Sequence, residues 1–224
     1  MVRCGFSRPR EGGVYGVWSA SMIMGLLSLS RVGPDVALAL LGSFASLLMS
    51  NPVQVRLYCV GLVSLLFLPI AATGLPYSLA PTILFPPLFY ATIRGGTIRY
   101  VTGAGLVAMP GGLLALASEA PWISALPPLY AMMASGMAYR RIYGSSPWGL
   151  EIASGIGVAV YGVALALAGA ILPGLVLVMD VVVRAIVRII GWDLGVRLRT
   201  YGFIEAFRSL AVMAVVGLGV GVLS

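Results

Sequence analysis

The chain has 224 residues, of which 60% are apolar and only 9% are charged. Its mean hydropathy is +1.03, and another 29 residues are glycine. A soluble fold of this size needs far more polar side chains to cover its surface, so the composition excludes an ordinary soluble domain. We therefore expect an all-α integral membrane protein with a single transmembrane helical domain over residues 1–224.

Several kinds of chemistry are excluded by missing residue types. Histidine and lysine are absent, so all 14 cationic side chains are arginines. The two cysteines, Cys4 and Cys59, lack the spacing of a metal or cluster motif. The sequence therefore predicts no metal site and no haem, iron–sulfur or other cofactor. The net charge of +7 would suggest nucleic-acid binding in a soluble protein. In a membrane protein the positions of basic residues instead indicate the orientation in the membrane, so we expect no nucleic-acid partner.

Charge-free apolar runs predict the membrane-spanning helices. The run 57–93 would reach about 55 Å as one helix, against about 30 Å for the hydrocarbon core. The segment Gly74-Leu75-Pro76 is predicted to divide it, and Gly169 to Gly174 divides a later run in the same way. The resulting nine helices are predicted at 13–30, 36–51, 56–73, 77–93, 98–118, 121–138, 149–169, 171–190 and 203–223.

The placement of arginine predicts the orientation of these helices. With the N-terminus in the cytoplasm, twelve arginines fall on the cytoplasmic side, Arg31 lies outside and Arg208 lies within helix nine. Because cytoplasmic links are enriched in basic residues, we predict a multi-pass cell-membrane protein with its N-terminus inside and its C-terminus outside. Residues 1–12 form a cytoplasmic tail in this scheme. Gly217 and Gly221 predict that helix nine packs closely on a neighbour.

A second group of charges lies deeper in the predicted bilayer. Asp180 is near the middle of helix eight, with Arg184 and Arg188 at i+4 and i+8 on the same face. On helix nine, Glu205 and Arg208 are neighbours at i and i+3. Isolated charges are costly in hydrocarbon, so we expect one polar cluster. It is either a structural ion pair that docks the two helices or a polar cavity open to the cytoplasm.

Two features of helices four and five are also open to two interpretations. Gly95-Gly96, between Arg94 and Arg99, either cradles an anion with backbone N–H groups or simply makes a tight turn. The prolines of helix four, including Pro86-Pro87, either line a cavity or kink the helix.

Three segments carry a family resemblance. The stretch 8–18 reads RPREGGVYGVW, so that Arg10 and Glu11 precede the first predicted helix. It resembles the opening of the YwiC-like membrane proteins, in which a basic residue and Glu precede His-Gly-Ala-Trp. Asn51-Pro52 stands where those proteins often have a basic residue and Pro, and 197–205 is similar to their closing basic–Gly–Glu segment. The resemblance implies a nine-helix-like membrane protein without specifying an activity.

The topology is similar to that of the UbiA-type intramembrane prenyltransferases. Those enzymes hold Mg²⁺ and an isoprenyl diphosphate with Asp-rich motifs in the links after helices two and six. The corresponding segments here contain Arg56 and the pair Arg140-Arg141, and neither contains an acid. A hard divalent cation would have no protein ligands there, so we do not expect the metal-dependent reaction. The resemblance then implies a scaffold with an arginine-lined cytoplasmic mouth, which favours phosphate or carboxylate groups.

These observations leave three classes of function open. The first is a non-enzymatic membrane protein that binds an anionic, lipid-like or isoprenoid-like ligand, or assists a membrane protein complex. The second is a transporter of a small anion or amphiphile, and the third is a degenerate UbiA-like lipid-modifying enzyme; the missing His and paired Asp motifs argue against the enzyme. The candidate ligand-binding residues are Arg10, Glu11, Asn51, Arg56, Arg94, Arg99, Arg140, Arg141, Asp180, Arg184, Glu205 and Arg208.

Overall fold

The computed structural model describes residues 12–49, 63–94, 98–143, 148–191 and 197–222. Nine α-helices lie within these residues, and no β-strand occurs among them, in agreement with the predicted all-α fold. The helices are α1 (Gly12–Leu27), α2 (Pro34–Met49), α3 (Leu68–Thr73), α4 (Leu79–Arg94), α5 (Arg99–Leu114), α6 (Leu126–Tyr143), α7 (Trp148–Leu167), α8 (Ile171–Ile190) and α9 (Leu198–Gly221).

The two predicted breaks are both present. Residues 74–78 form the turn between α3 and α4, and Gly169, with φ of 99°, ends the turn after α7 in a conformation that suits glycine. Other predicted boundaries are wrong by several residues. α5 ends at Leu114, and two 3₁₀ turns, Ala115–Ala117 and Pro121–Ala125, precede α6. α6 starts late because Pro127-Pro128 fits the first turn of a helix, where no backbone N–H is needed.

The links between helices gather at two ends of the bundle. At one end, the Arg31 guanidinium donates to the Thr73 hydroxyl, and Ser30 N–H donates to the Ala117 carbonyl. At the other end, the rings of Tyr100 and Tyr139 are 6.0 Å apart. The links around 28–33, 74–78 and 115–125 therefore share one end, and the C-terminal ends of α4, α6 and α8 share the other. Successive described helices run up and down between these ends.

Helix α6 occupies the centre of the bundle. Nearly all of its side chains from Leu126 to Met137 are buried, and it contacts α1, α5, α7 and α9. Its apolar side chains join the largest core cluster together with residues such as Met24, Leu165 and Val216. Helices α2, α3 and α4 lie on the outer side of α5. Helix α8 lies at the edge of the bundle, where it packs against α7 and α9.

Apolar side chains are exposed on the sides of the bundle, whereas the charges in the middle of α8 are buried, which is the reverse of a soluble protein. On α8, Leu175, Met179 and Ile186 are exposed, while Asp180 and Arg184 are buried. Three helical segments are long and apolar enough to cross a membrane by length and composition, namely Arg99–Ala117, Trp148–Leu167 and Thr200–Gly221. Three shorter apolar helical segments are Tyr15–Leu27, Pro34–Leu47 and Val63–Thr73. This pattern is that of a helical membrane protein.

Helix α9 packs closely on α1 through the predicted glycines. A Cβ atom at Gly217 would lie 2.8 Å from the Met24 carbonyl oxygen, and one at Gly221 would lie 2.7 Å from the Leu27 carbonyl oxygen. Any larger residue would push the two backbones apart, because helix contacts in membranes rely on close approach at small residues. The predicted close-packing face of helix nine is therefore confirmed.

Candidate functional site

The charged face of α8 points into the bundle. Asp180 and Arg184 are one turn apart, and the Arg184 Nε atom lies 2.7 Å from Asp180 Oδ2. Their side chains are only 3% and 4% exposed. The α-helical repeat brings residues at i and i+4 onto one face, so this pair forms within a single helix. The remaining partners of both residues must come from other helices.

Helix α9 supplies the complementary charges. The Arg184 Nη1 atom lies 2.5 Å from Glu205 Oε1, and the Arg208 Nε atom lies 2.5 Å from Asp180 Oδ1. Arg208 also donates to the Asp180 backbone carbonyl at 2.9 Å. The order Glu205–Arg184–Asp180–Arg208 is thus a row of four alternating charges between α8 and α9, which we name the buried charge row. The sequence prediction that these four residues form one cluster is confirmed.

Helix α6 adds a residue to this row that the sequence analysis missed. The Arg184 Nη2 atom donates to the Tyr130 hydroxyl at 3.0 Å, and the guanidinium carbon lies 5.2 Å from the centre of the Tyr130 ring. Tyr130 lies in an apolar helix, and nothing in the sequence around it indicates a polar partner. Only its proximity to α8 in the fold distinguishes it from the other tyrosines.

A second ion pair lies one turn further along α8. Arg188 pairs with Glu151 of α7, and its guanidinium carbon lies 4.2 Å from the centre of the Trp148 ring. The Arg140 Nη1 atom donates to the Arg188 backbone carbonyl at 3.1 Å. Gly136 of α6 leaves room for Glu151, because a Cβ at Gly136 would lie 2.9 Å from Glu151 Cγ. The sequence analysis missed Glu151 and Trp148; the single acid in α7 was the available signal.

The remaining basic candidates within the described residues lie at the end of the bundle where α4, α6 and α8 end. We name it the arginine end, and its described arginines are Arg94, Arg99, Arg140, Arg141, Arg188, Arg197 and Arg199. The Arg94 guanidinium carbon lies 5.0 Å from the centre of the Tyr90 ring. Thr92 of α4 and Thr102 of α5 are joined by a hydrogen bond of 2.9 Å between their hydroxyls.

Several predicted site residues fall on parts of the chain that the structure does not describe. Arg10, Glu11, Asn51 and Arg56 lie outside the described residues, as do Gly95 and Gly96. Arg141 belongs to the last turn of α6. The alternative in which helix four lines a cavity finds no support in the described part of the chain, because Pro86 and Pro87 of α4 are exposed on the outside of the bundle.

The opposite end contains one arginine among its described residues, and this arginine is paired. Arg31 contacts Asp35 at 2.7 Å, and the Thr73 hydroxyl lies 3.2 Å from Asp35 Oδ2. The hydrogen bonds from Arg31 hold the pKa of the Asp35 carboxyl below its usual value. The triad fastens the link after α1 to the end of α3.

The deep charges satisfy one another. Three carboxylates (Asp180, Glu205 and Glu151) face three guanidinium groups (Arg184, Arg208 and Arg188). A crevice between α1, α6 and α9 is lined by Val17, Ala20, Tyr130, Ala134, Ser209 and Met213 among others, and no charged side chain lines it. Of the two interpretations, the geometry favours ion pairs that dock α8, α9 and α7 over an open polar cavity.

Metal chemistry has no candidate site in the described residues, since no group of three or more Cys, Asp or Glu side chains lies close enough together there. Comparison with protein-family models, curated proteins and solved structures gave no match. The resemblances to YwiC-like and UbiA-type proteins therefore stay predictions, and function has to be argued from the geometry of this chain.

Proposed function

We propose that this protein is a non-enzymatic integral membrane protein that binds an anionic, lipid-like ligand at its arginine end. The observation that carries the proposal is the difference between the two ends. Basic residues from the terminal turns of several helices gather at one end, whereas the single described arginine of the other end is neutralised by Asp35. Guanidinium groups favour phosphate and carboxylate through paired hydrogen bonds.

The same asymmetry supports a membrane placement with nine spans, the N-terminus inside and the C-terminus outside. Basic residues concentrate on the cytoplasmic side of membrane proteins, so the arginine end is the cytoplasmic end in this proposal. Tyr90 and Trp148 are exposed at that end, with 58% and 59% of their surface accessible. Exposed Tyr and Trp side chains are typical of the membrane–water interface.

Selective lipid retention tests the proposal. The purified protein is transferred into detergent with equal amounts of phosphatidylglycerol and phosphatidylcholine, and bound lipids are counted by native mass spectrometry. We expect phosphatidylglycerol to be retained preferentially, and the preference to weaken as salt is raised, because the attraction is electrostatic. Equal retention of both lipids at low salt would contradict the proposed function.

A transporter of a small anion or amphiphile is the second candidate, and the buried charge row favours it. Charged residues inside a membrane often mark an ion or substrate pathway. The mutual pairing of its members argues against a pathway that is open in this conformation. Accumulation of inorganic phosphate or another small anion in proteoliposomes would favour transport over simple binding, and turnover of an isoprenyl diphosphate would favour the UbiA-like enzyme.

A further inference from the structure

The corner between α4 and α5 presents a guanidinium group held against an aromatic ring. Arg94, the last residue of α4, lies over Tyr90 one turn earlier, at 5.0 Å from the ring centre. The hydrogen bond between Thr92 and Thr102 fixes this part of α4 to the first turn of α5, which begins at Arg99. The corner thus combines an exposed aromatic ring and two arginines on two helices that are joined to each other.

These two arginines differ from the deep ones in their partners. Arg184, Arg188 and Arg208 each contact a carboxylate. For Arg94 and Arg99, by contrast, no ion pair with a carboxylate occurs within the described residues. Arg94 is exposed and Arg99 is half-buried. The corner therefore has positive charge that the described part of the protein does not neutralise, unlike the balanced network between α7, α8 and α9.

We propose that Arg94, Arg99 and Tyr90 form a binding site for the phosphate of an anionic phospholipid; this site rests on the proposed function and gives it a location. The Arg94 guanidinium carbon lies over the Tyr90 ring. A cation–π contact of this kind supports the guanidinium, whose planar fork can donate paired hydrogen bonds to phosphate oxygens. A guanidinium already held in place loses less conformational freedom on binding. The C-terminal end of α4 and the N-terminal end of α5 lie at the headgroup level in the proposed orientation.

The first test separates paired hydrogen bonding from simple charge attraction. Arg94→Lys and Arg99→Lys keep the charge but lose the planar fork, while Arg197→Lys, at the same end and exposed, is the matched control. Retention of phosphatidylglycerol is titrated by native mass spectrometry. We expect Arg94→Lys to weaken binding about tenfold, because one charge-assisted hydrogen bond is lost. We expect no change for Arg197→Lys. Equal affinities for all three variants would overturn the site while leaving a generally basic binding end intact.

The second test concerns the aromatic support and alters no charge. Tyr90→Leu removes the ring beneath Arg94, and Tyr77→Leu, an exposed tyrosine near the opposite end, is its control. We expect Tyr90→Leu to weaken phosphatidylglycerol binding by about two- to fivefold, the range of an exposed cation–π contact. An effect of the same size in Tyr77→Leu would show that the ring acts only through general lipid contacts, which would overturn its role.

A third measurement identifies the source of the phosphate. Inorganic phosphate is added at concentrations from micromolar to millimolar while phosphatidylglycerol retention is followed. Because the proposed ligand is a membrane lipid whose acyl chains would also contact the exposed apolar side chains of α4, such as Ile83 and Ile93, we expect little displacement in this range. Complete displacement at micromolar inorganic phosphate would mean that the corner binds free phosphate, and would overturn the assignment to a lipid.

Discussion

The buried charge row allows a direct test of whether its charges depend on one another. Asp180 accepts from both Arg184 and Arg208, and its side chain is 3% exposed. Asp180→Ala would therefore leave the buried Arg184 guanidinium and the half-buried Arg208 guanidinium each short of one carboxylate. Loss of one partner from a buried ion pair costs roughly 3–5 kcal/mol, because the remaining charge is left without compensation. Arg184→Met removes the other charge but keeps most of the apolar stem.

The double variant should lose less stability than the sum of the losses in the two single variants. With Asp180 and Arg184 both replaced, the row retains Glu205 and Arg208, which carry opposite charges one turn apart on α9. We expect a coupling free energy of at least about 2 kcal/mol between the two positions, within the range for charges in one network. The free energy of unfolding is measured for all four proteins in mixed micelles by titration with a denaturing detergent.

The pair Arg31–Asp35 is the matched control for this cycle. It is another i, i+4 Arg–Asp pair with a contact of 2.7 Å, but the Arg31 side chain is 44% exposed. Ion pairs with an exposed partner contribute only about 0.2–1 kcal/mol, so the effects of Arg31→Met and Asp35→Ala should be additive within about 1 kcal/mol. If the changes at Asp180 and Arg184 were also additive within about 0.5 kcal/mol, the deep charges would not be coupled and the reasoning would be refuted.

Four further predictions follow from the packing, the polar contacts and the orientation. Gly217→Leu should destabilise the fold by about 1–3 kcal/mol because it separates α9 from α1, whereas Gly202→Leu, which has open space around it, should be nearly neutral in thermal unfolding. Tyr130→Phe should cost about 1.5–3 kcal/mol in the same assay, since it removes a hydroxyl that accepts from Arg184; an unchanged melting temperature would contradict this. Because the pKa of the Asp35 carboxyl is lower in the folded state, this residue should stabilise the fold at pH values above its unfolded-state pKa of 3.8. This stabilisation should disappear as the pH falls through the pKa of the folded state. The melting-temperature difference between the wild type and Asp35→Asn should shrink accordingly in acid. Reporter fusions should place Ser224 outside the cell, and a cytoplasmic signal would contradict the orientation.

The sequence by itself determined the class and much of the helix pattern of this protein. The apolar composition requires helices whose backbone groups are satisfied internally, and the breaks at Gly74-Leu75-Pro76 and Gly169 follow from residues that end helices. The cluster of Asp180 with Arg184 was predictable because both residues lie on one face of a single helix. Helical periodicity and the cost of an isolated charge in hydrocarbon are local properties, so they can be inferred from the order of residues alone.

Only the tertiary structure decided which helices surround those charges. Tyr130 and Glu151 lie in other helices, and they become part of the network because the Arg184 and Arg188 side chains of α8 reach them in the folded protein. The start of α6 was misplaced for a related reason, since Ile123 and Ser124 are buried in 3₁₀ turns that could equally have been a helical turn by sequence. Contacts between residues far apart in sequence depend on the packing of whole helices, and an apolar sequence in a membrane carries little information about which neighbour each face will meet.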